Sequence, residues 1–206
     1  MSISDIKLAF RASIHPFKVF WELKHENKGK LSVAFSCLGL WIIINIFGKM
    51  FTGYLFNTDF GVQVDFLSEI RNVFLMFFLC CIANWSVTTL MDGKGRLRDI
   101  IITFCYSAIP MIMIRLFAII LSNVISYSEF DYYNILMFVS WFWFFALLFF
   151  GMLVIHDYTV IKTIATFIIT IVSMCIIIFI SMILISMVNQ LYTFLITAYK
   201  ELIYRI

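Results

Sequence analysis

The sequence has little charge. Charged residues make up 13% of its 206 positions and hydrophobic residues 63%, with a mean hydropathy of +1.01. A soluble domain usually has about 25% charged and about 45–50% apolar residues. These values exclude an ordinary soluble enzyme, a disordered chain and a nucleic-acid-binding protein. They predict an integral membrane protein.

Proline and glycine are scarce as well, with 2 and 8 copies. A transmembrane barrel would show segments of about ten residues that alternate in polarity and are separated by turns. The chain instead has long, unbroken apolar runs. Since lipid offers no hydrogen-bond partners, such runs must satisfy their own backbone groups as helices. The predicted fold is therefore all-α, an integral membrane bundle.

Enzyme motifs are missing too. The chain has no H-E-x-x-H, no P-loop and no G-x-S-x-G, so we expect no catalytic residues. The cysteines fall inside apolar runs without C-x-x-C spacing, which is typical of packing residues rather than of a disulfide or metal site. They are Cys37, Cys80, Cys81, Cys105 and Cys175. We expect no metal and no cofactor.

Five apolar runs are long enough, at about 20 residues, to cross about 30 Å of hydrocarbon. We place them at 31–51, 73–91, 100–124, 135–155 and 160–188. Residues 1–30 are predicted to form a cytoplasmic segment of short amphipathic helices lying in the membrane interface. Residues 31–206 form the transmembrane domain. A separate short helix is expected at 189–206.

Lysine and arginine predict the orientation. They concentrate in the N-terminal segment, in the loop after the second run and, with Lys162, in the loop after the fourth. Cytoplasmic loops have an excess of these residues. We therefore expect a multi-pass protein of the plasma membrane, with its N-terminus in the cytoplasm and its C-terminus outside.

Arg115 is the most informative residue inside a predicted span. A charge at such depth costs a few kcal/mol unless it is paired or hydrated, so it marks a candidate site. Glu69 and Asp65, at the outer end of the second span, are its expected partners. Two interpretations stay open, a structural arginine that snorkels or pairs with Glu69, and a substrate or ion site.

Other polar or helix-disrupting residues accompany Arg115 in this candidate intramembrane site. Pro110 removes a backbone hydrogen bond within the third span, and Asn84 can hydrogen-bond between helices, as can a threonine seam on the fifth span. The full set of candidates is Arg115, Asn84, Tyr106, Ser107, Pro110 and Glu69.

The loop after the second span reads DGKGRLRD at residues 92–99. Its two glycines permit a tight turn with positive φ, and its basic side chains can contact anionic lipid. We treat it as a candidate cytoplasmic interaction loop, comprising Gly93, Lys94, Gly95, Arg96 and Arg98.

Three stretches resemble a known family. They are HPFKVFWEL at residues 15–23, the glycine pair at 93 and 95 after Asn84–Trp85, and YSAIP at 106–110. Together with the five-span layout they resemble bacterial members of the Yip-one (Ypt-interacting protein) domain family. The resemblance implies a five-helix bundle with a cytoplasmic N-terminus and supplies no catalytic residues.

The resemblance also implies partners. Eukaryotic members act in membrane trafficking and interact with small GTPases, but their longer cytoplasmic N-terminal domain has no counterpart here, which argues against a GTPase partner. Bacterial members are often associated with sugar-type ABC transporter components.

Two functions follow as expectations. The first is a non-enzymatic scaffold or accessory subunit that contacts the lipid bilayer and another membrane protein, such as an ABC transporter permease. Its contacts would include the aromatic-rich fourth span, for which plain lipid contact is the alternative. The second is a small transporter, channel or lipid-handling protein with a cavity near Arg115.

Overall fold

A computed structural model describes residues 3–26, 28–57 and 64–204. These residues form seven α-helices and no strand, which confirms the all-α prediction. Five of the helices are long and apolar enough to cross a membrane. The helices are α1 Ile3–Ala12, α2 Pro16–His25, α3 Leu31–Phe51, α4 Phe66–Leu90, α5 Leu97–Ser122, α6 Phe130–His156 and α7 Val160–Tyr204.

Several helices begin before the predicted spans, where polar residues extend them, whereas α5 ends at Ser122 and not at 124. The first span is predicted residue for residue, but α4 begins at Phe66 and not at 73. Asp65 caps it, since its Oδ1 accepts hydrogen bonds from the backbone N–H of Leu67 at 3.1 Å and of Ser68 at 3.4 Å. Such caps satisfy backbone donors that hydropathy alone does not consider.

The last helix corrects a prediction. A fifth span ending at 188 and a separate helix over 189–206 were expected, but α7 is one helix of 45 residues. The prediction of a separate helix is wrong because no proline or glycine interrupts residues 160–204. Polar residues such as Asn189 lower apolarity but do not end a helix. At 1.5 Å per residue, α7 is about 67 Å long. Positions 205 and 206 of the predicted helix lie outside the described residues.

Helix α5 is the centre of the bundle. Of its most apolar stretch, 61% is buried, against 39% for each of α3, α4 and α6. Aromatic rings from each neighbour meet Phe104, with centroids 5.2 Å away for Phe77 of α4 and for Phe144 of α6, and 6.1 Å for Trp41 of α3. Between helices in lipid, such van der Waals packing replaces the hydrophobic driving force.

The two short N-terminal helices form as predicted and pack on the bundle. Helix α2 begins at Pro16, which suits the first turn because it has no N–H to satisfy. Its Val19 and Phe20 are fully buried, and the ring centroid of Phe17 lies 4.9 Å from that of Phe150 in α6. Helix α1 contacts α2 and α5. The two short helices therefore pack against one end of α5 and α6.

Candidate functional site

Arg115 lies near the C-terminal end of α5 and is half-buried. Its Nη1 donates a hydrogen bond to Oδ1 of Asn45 in α3 at 2.8 Å. The guanidinium carbon also lies 4.9 Å from the ring centroid of Trp141 in α6, a cation–π contact. Neutral groups on two neighbouring helices thus hold the arginine in place.

The expected partners of Arg115 have other contacts. Nζ of Lys49 lies 2.8 Å from Oε1 of Glu69, and the carboxylate of Asp65 caps α4. The expected pairing with Glu69 or Asp65 is therefore wrong. Helix α4 contacts α3 as well as α5 and α7. Its first turn lies near the last turn of α3, and Glu69 therefore pairs with Lys49.

Arg115 borders a cavity of about 230 Å³ between the ends of α3, α5 and α6 and the loop after α3. We call it the Arg115 cavity. Its lining residues are Ile44, Asn45, Gly48, Lys49, Thr52, Phe56, Asn57, Arg115, Ile119, Tyr133 and Met137. The side chains combine two cations, amides and a phenol with an aliphatic wall.

The remaining intramembrane candidates do not border this cavity, as far as the described residues show. Tyr106, Ser107 and Pro110 are buried within α5, which continues through the proline. Nδ2 of Asn84 donates to Oγ1 of Thr170 in α7 at a long 3.4 Å. The predicted single site is thus divided, and of these candidates Arg115 is the one that lines the Arg115 cavity.

The threonine seam predicted on the fifth span faces α4. Thr163, Thr166 and Thr170 are buried, and Oγ1 of Thr166 lies 3.5 Å from Sδ of Met91. Each threonine hydroxyl also donates to the backbone carbonyl four residues earlier. Because each hydroxyl donates to a carbonyl one turn earlier in the chain, it needs no acceptor on another helix. The seam is therefore a packing surface.

A prediction follows for Asn84. Its bond to Thr170 is long, and its Oδ1 has no hydrogen-bond partner among the described residues. Asn84→Leu should therefore change the free energy of unfolding by less than about 1 kcal/mol, since interhelical hydrogen bonds in membranes average about 0.6 kcal/mol. Thermal unfolding in detergent measures this. A much larger loss would assign Asn84 a role that its contacts do not show.

The basic loop after α4 is held by the turn between α6 and α7. The backbone N–H of Gly95 donates to Nδ1 of His156 at 3.3 Å, and Nζ of Lys94 lies 3.3 Å from Oδ2 of Asp157. The same Oδ2 lies 2.7 Å from Nζ of Lys24 in α2. We call this set the loop junction: Lys24, Gly93, Lys94, Gly95, His156, Asp157 and Tyr158.

The two glycines of the loop are needed for close approach. Neither has the expected positive φ, which occurs instead at Asp92, with a φ of 57°. A Cβ on Gly93 would lie 2.5 Å from Nδ1 of His156, and a Cβ on Gly95 2.5 Å from Cγ2 of Ile155. The prediction of positive φ at the glycines is wrong, and what requires glycine at both positions is the close approach of Ile155 and His156 at the end of α6.

The basic side chains of the loop are only partly available to a partner. Arg96 and Arg98 are both exposed, but Nη2 of Arg98 donates to the carbonyl of Gly29 at 2.8 Å. Lys94 is exposed but shares Asp157 with Lys24. The contacts of Lys94 and Arg98 therefore join the loop to other parts of this chain.

A family model describing the Yip1 domain matches residues 10–198. The chain belongs to the Yip1 domain family. The match includes all three stretches on which the resemblance was based, and the family consists of non-catalytic membrane proteins. No curated protein and no solved structure matches the chain.

In this Yip1-domain protein, the sequence analysis missed the acidic half of the loop junction. Asp157 ends α6 with a left-handed φ of 53°, a conformation that aspartate tolerates better than most residues. The hydroxyl of Tyr158 donates to the carbonyl of Met91 at 3.1 Å. An aspartate at the start of a short polar turn between two apolar helices was the available sign.

Proposed function

We propose that this Yip1-domain protein is a non-enzymatic subunit of a larger membrane assembly, docked on another membrane protein such as an ABC transporter permease. It would lie in the plasma membrane with its N-terminus in the cytoplasm and its C-terminus outside. The observation that carries the proposal is the exposure of α7. Its most apolar stretch has the highest mean hydropathy among the most apolar stretches of the five helices, yet only 6% of that stretch is buried.

Lipid covers only part of this helix. About 20 helical residues cross the hydrocarbon, and α7 has 45. Its first third packs on α4 through the threonine seam, whereas nearly all residues from Ile176 onward are exposed. A contiguous apolar surface of this size that extends past a bilayer is typical of a protein interaction site.

The outer half of α7 has a polar stripe at helical spacing. Its members lie on one face of the helix and recur every three or four residues. We call it the α7 stripe: Ser186, Asn189, Gln190, Thr193 and Thr197. Small and amide side chains on an apolar helix are typical of the surface against which a second transmembrane helix packs.

The aromatic surface of α6 supports the same proposal in part. Phe138, Phe142 and Phe145 are exposed on α6, but Phe144 is buried in the core beside Phe104. Phe144 was expected to be part of the contact surface, but it packs inside the bundle and cannot contact a partner. The exposed rings remain available to lipid or to a partner.

Site-specific photo-crosslinking in native membranes tests the proposal. A photoreactive residue at Thr193 reports on the α7 stripe, and one at Leu191 is the matched control, two positions away and so on the opposite side of the helix. Both positions are exposed. We expect one adduct with a transmembrane transporter component from position 193 and none from 191.

A second variant connects the adduct to the stripe. Asn189→Leu with Gln190→Leu keeps α7 apolar and helical but removes the amides, so the adduct from position 193 should fall at least several-fold. Adducts with lipid alone from both positions would contradict the proposal. An adduct between two copies of this chain would also contradict it, because the stripe would then serve self-association.

A further inference from the structure

We propose that the Arg115 cavity binds a phosphate-bearing anion, the chemistry shared by phospholipid headgroups and inorganic phosphate. This proposal does not depend on the partner proposed above, because the cavity lies between α3, α5 and α6 and includes no residue of α7.

The guanidinium of Arg115 has an N–H donor that no acceptor within the described residues uses. Nη1 donates to Asn45, while Nε is buried and has no hydrogen-bond partner in the described part of the chain. The contacts with Asn45 and Trp141 fix the plane of the group from two sides. An oriented arginine with free N–H groups suits two-point hydrogen bonding to the oxygens of a phosphate.

The charge of the cavity is not balanced. No aspartate or glutamate is among its described lining residues, and the cations are Arg115 and Lys49. Lys49 is paired with Glu69, which leaves Arg115 as the uncompensated cation. A buried charge is costly without a counter-charge. A bound anion would supply it.

The size and place of the cavity fit a small headgroup. Its volume of about 230 Å³ is below the range of about 300–1,000 Å³ that is usual for drug-sized ligands. Arg115 lies seven residues before Ser122, the last residue of α5, or about 10 Å along the helix. Ile44, Ile119 and Met137 give the cavity an aliphatic wall, which suits the glycerol portion of a lipid.

The test uses the full chain in nanodiscs of a phosphate-free glycolipid. One arm titrates inorganic phosphate and the other adds phosphatidylglycerol, with tryptophan fluorescence as the readout because Trp141 lies against Arg115. Native mass spectrometry counts retained lipid. The variants are Arg115→Gln and Asn45→Asp, and Arg71→Gln is the matched control. Arg71 is exposed near the start of α4, and its hydrogen bond within the described residues is local, to Ser68 at 3.2 Å.

Wild type and Arg71→Gln should bind at least one of the two probes, and Arg115→Gln should bind it about tenfold or more weakly, as expected for loss of a charge-assisted hydrogen bond. Asn45→Asp keeps the arginine but neutralises it with an adjacent carboxylate, so it should lose affinity even if Arg115→Gln does not fold.

Binding of phosphatidylglycerol alone assigns a lipid headgroup, and binding of both probes assigns the free anion. Equal binding by all four proteins, or none by wild type, overturns the proposal.

Discussion

Gly151→Leu is expected to destabilise the bundle by about 3 kcal/mol, at the upper end of the usual cost of overpacking. Gly151 lies where α6 meets α5 and α2. A Cβ there would collide with Cγ2 of Thr103 and lie 3.2 Å from Cζ of Phe20. Both side chains are fully buried, and the hydroxyl of Thr103 donates to the carbonyl of Asp99 at 2.7 Å. Three helices would have to separate to accept a leucine.

Gly39→Leu provides the matched control on α3. A Cβ on Gly39 meets no atom within 4 Å, and leucine favours a helix over glycine by up to about 1 kcal/mol. The thermal unfolding midpoint in detergent, followed by tryptophan fluorescence, should fall for Gly151→Leu and hold or rise for Gly39→Leu. Equal midpoints for the two variants would show that α2, α5 and α6 do not meet at Gly151.

Asp157→Ala is expected to cost about 2 kcal/mol by leaving Lys24 unpaired, less than the 3–5 kcal/mol typical of fully buried pairs because Asp157 is partly in water. The side chain of Lys24 is 14% exposed and that of Asp157 is 43% exposed. Asp157 also bridges Lys24 to Lys94, so its loss should loosen α2 and the loop after α4 together.

Asp92→Ala separates this charge effect from the backbone effect. Asp92 and Asp157 both have a left-handed φ, 57° and 53°. Aspartate tolerates this conformation better than alanine because its short polar side chain can hydrogen-bond locally, so both variants lose the same backbone preference. The extra loss in Asp157→Ala therefore reports the contact with Lys24. If the two variants were equally stable, the loop junction would not depend on charge.

The same carboxylate gives a pH dependence. The ammonium of Lys24, 2.7 Å from Oδ2 of Asp157, lowers the pKa of Asp157 below its ordinary value, and Lys94 adds to the shift. Since the folded pKa is then below the unfolded value of about 3.9, the stabilisation is complete above that value and is lost as the pH falls through the folded pKa. As the pH falls below about 3.9, the unfolded pKa, wild type should lose more stability than Asp157→Asn. Parallel curves would contradict the ion pair.

Composition was sufficient to predict the spans of this protein. The apolar runs are long and polar breaks separate most of them, so the number of spans and both ends of α3 could be predicted from the sequence. The end of α7 could not. Hydropathy falls sharply at Asn189 and Gln190, whereas the loss of helix propensity there is below about 1 kcal/mol per residue. Hydropathy therefore predicted an end at a place where the helix continues.

The candidate site was predicted only in part, because pairing between helices depends on which faces meet. Arg115 was identified from its charge within an apolar run, and Glu69 was assigned to it by charge alone. In the structure Glu69 forms an ion pair with Lys49, and Arg115 donates a hydrogen bond to the neutral Asn45. Neither the neighbours of α5 nor the close approach of His156 to the glycine loop can be read from one sequence.

The most direct test of the whole account is the topology, five crossings with the N-terminus in the cytoplasm. Ser128→Cys lies in the turn before α6 and Thr159→Cys in the turn before α7, and both positions are exposed. A membrane-impermeant maleimide should label Ser128→Cys on intact cells and Thr159→Cys only after permeabilisation, with the wild-type chain as background. Labelling in the opposite order, or of both positions from outside, would contradict the account.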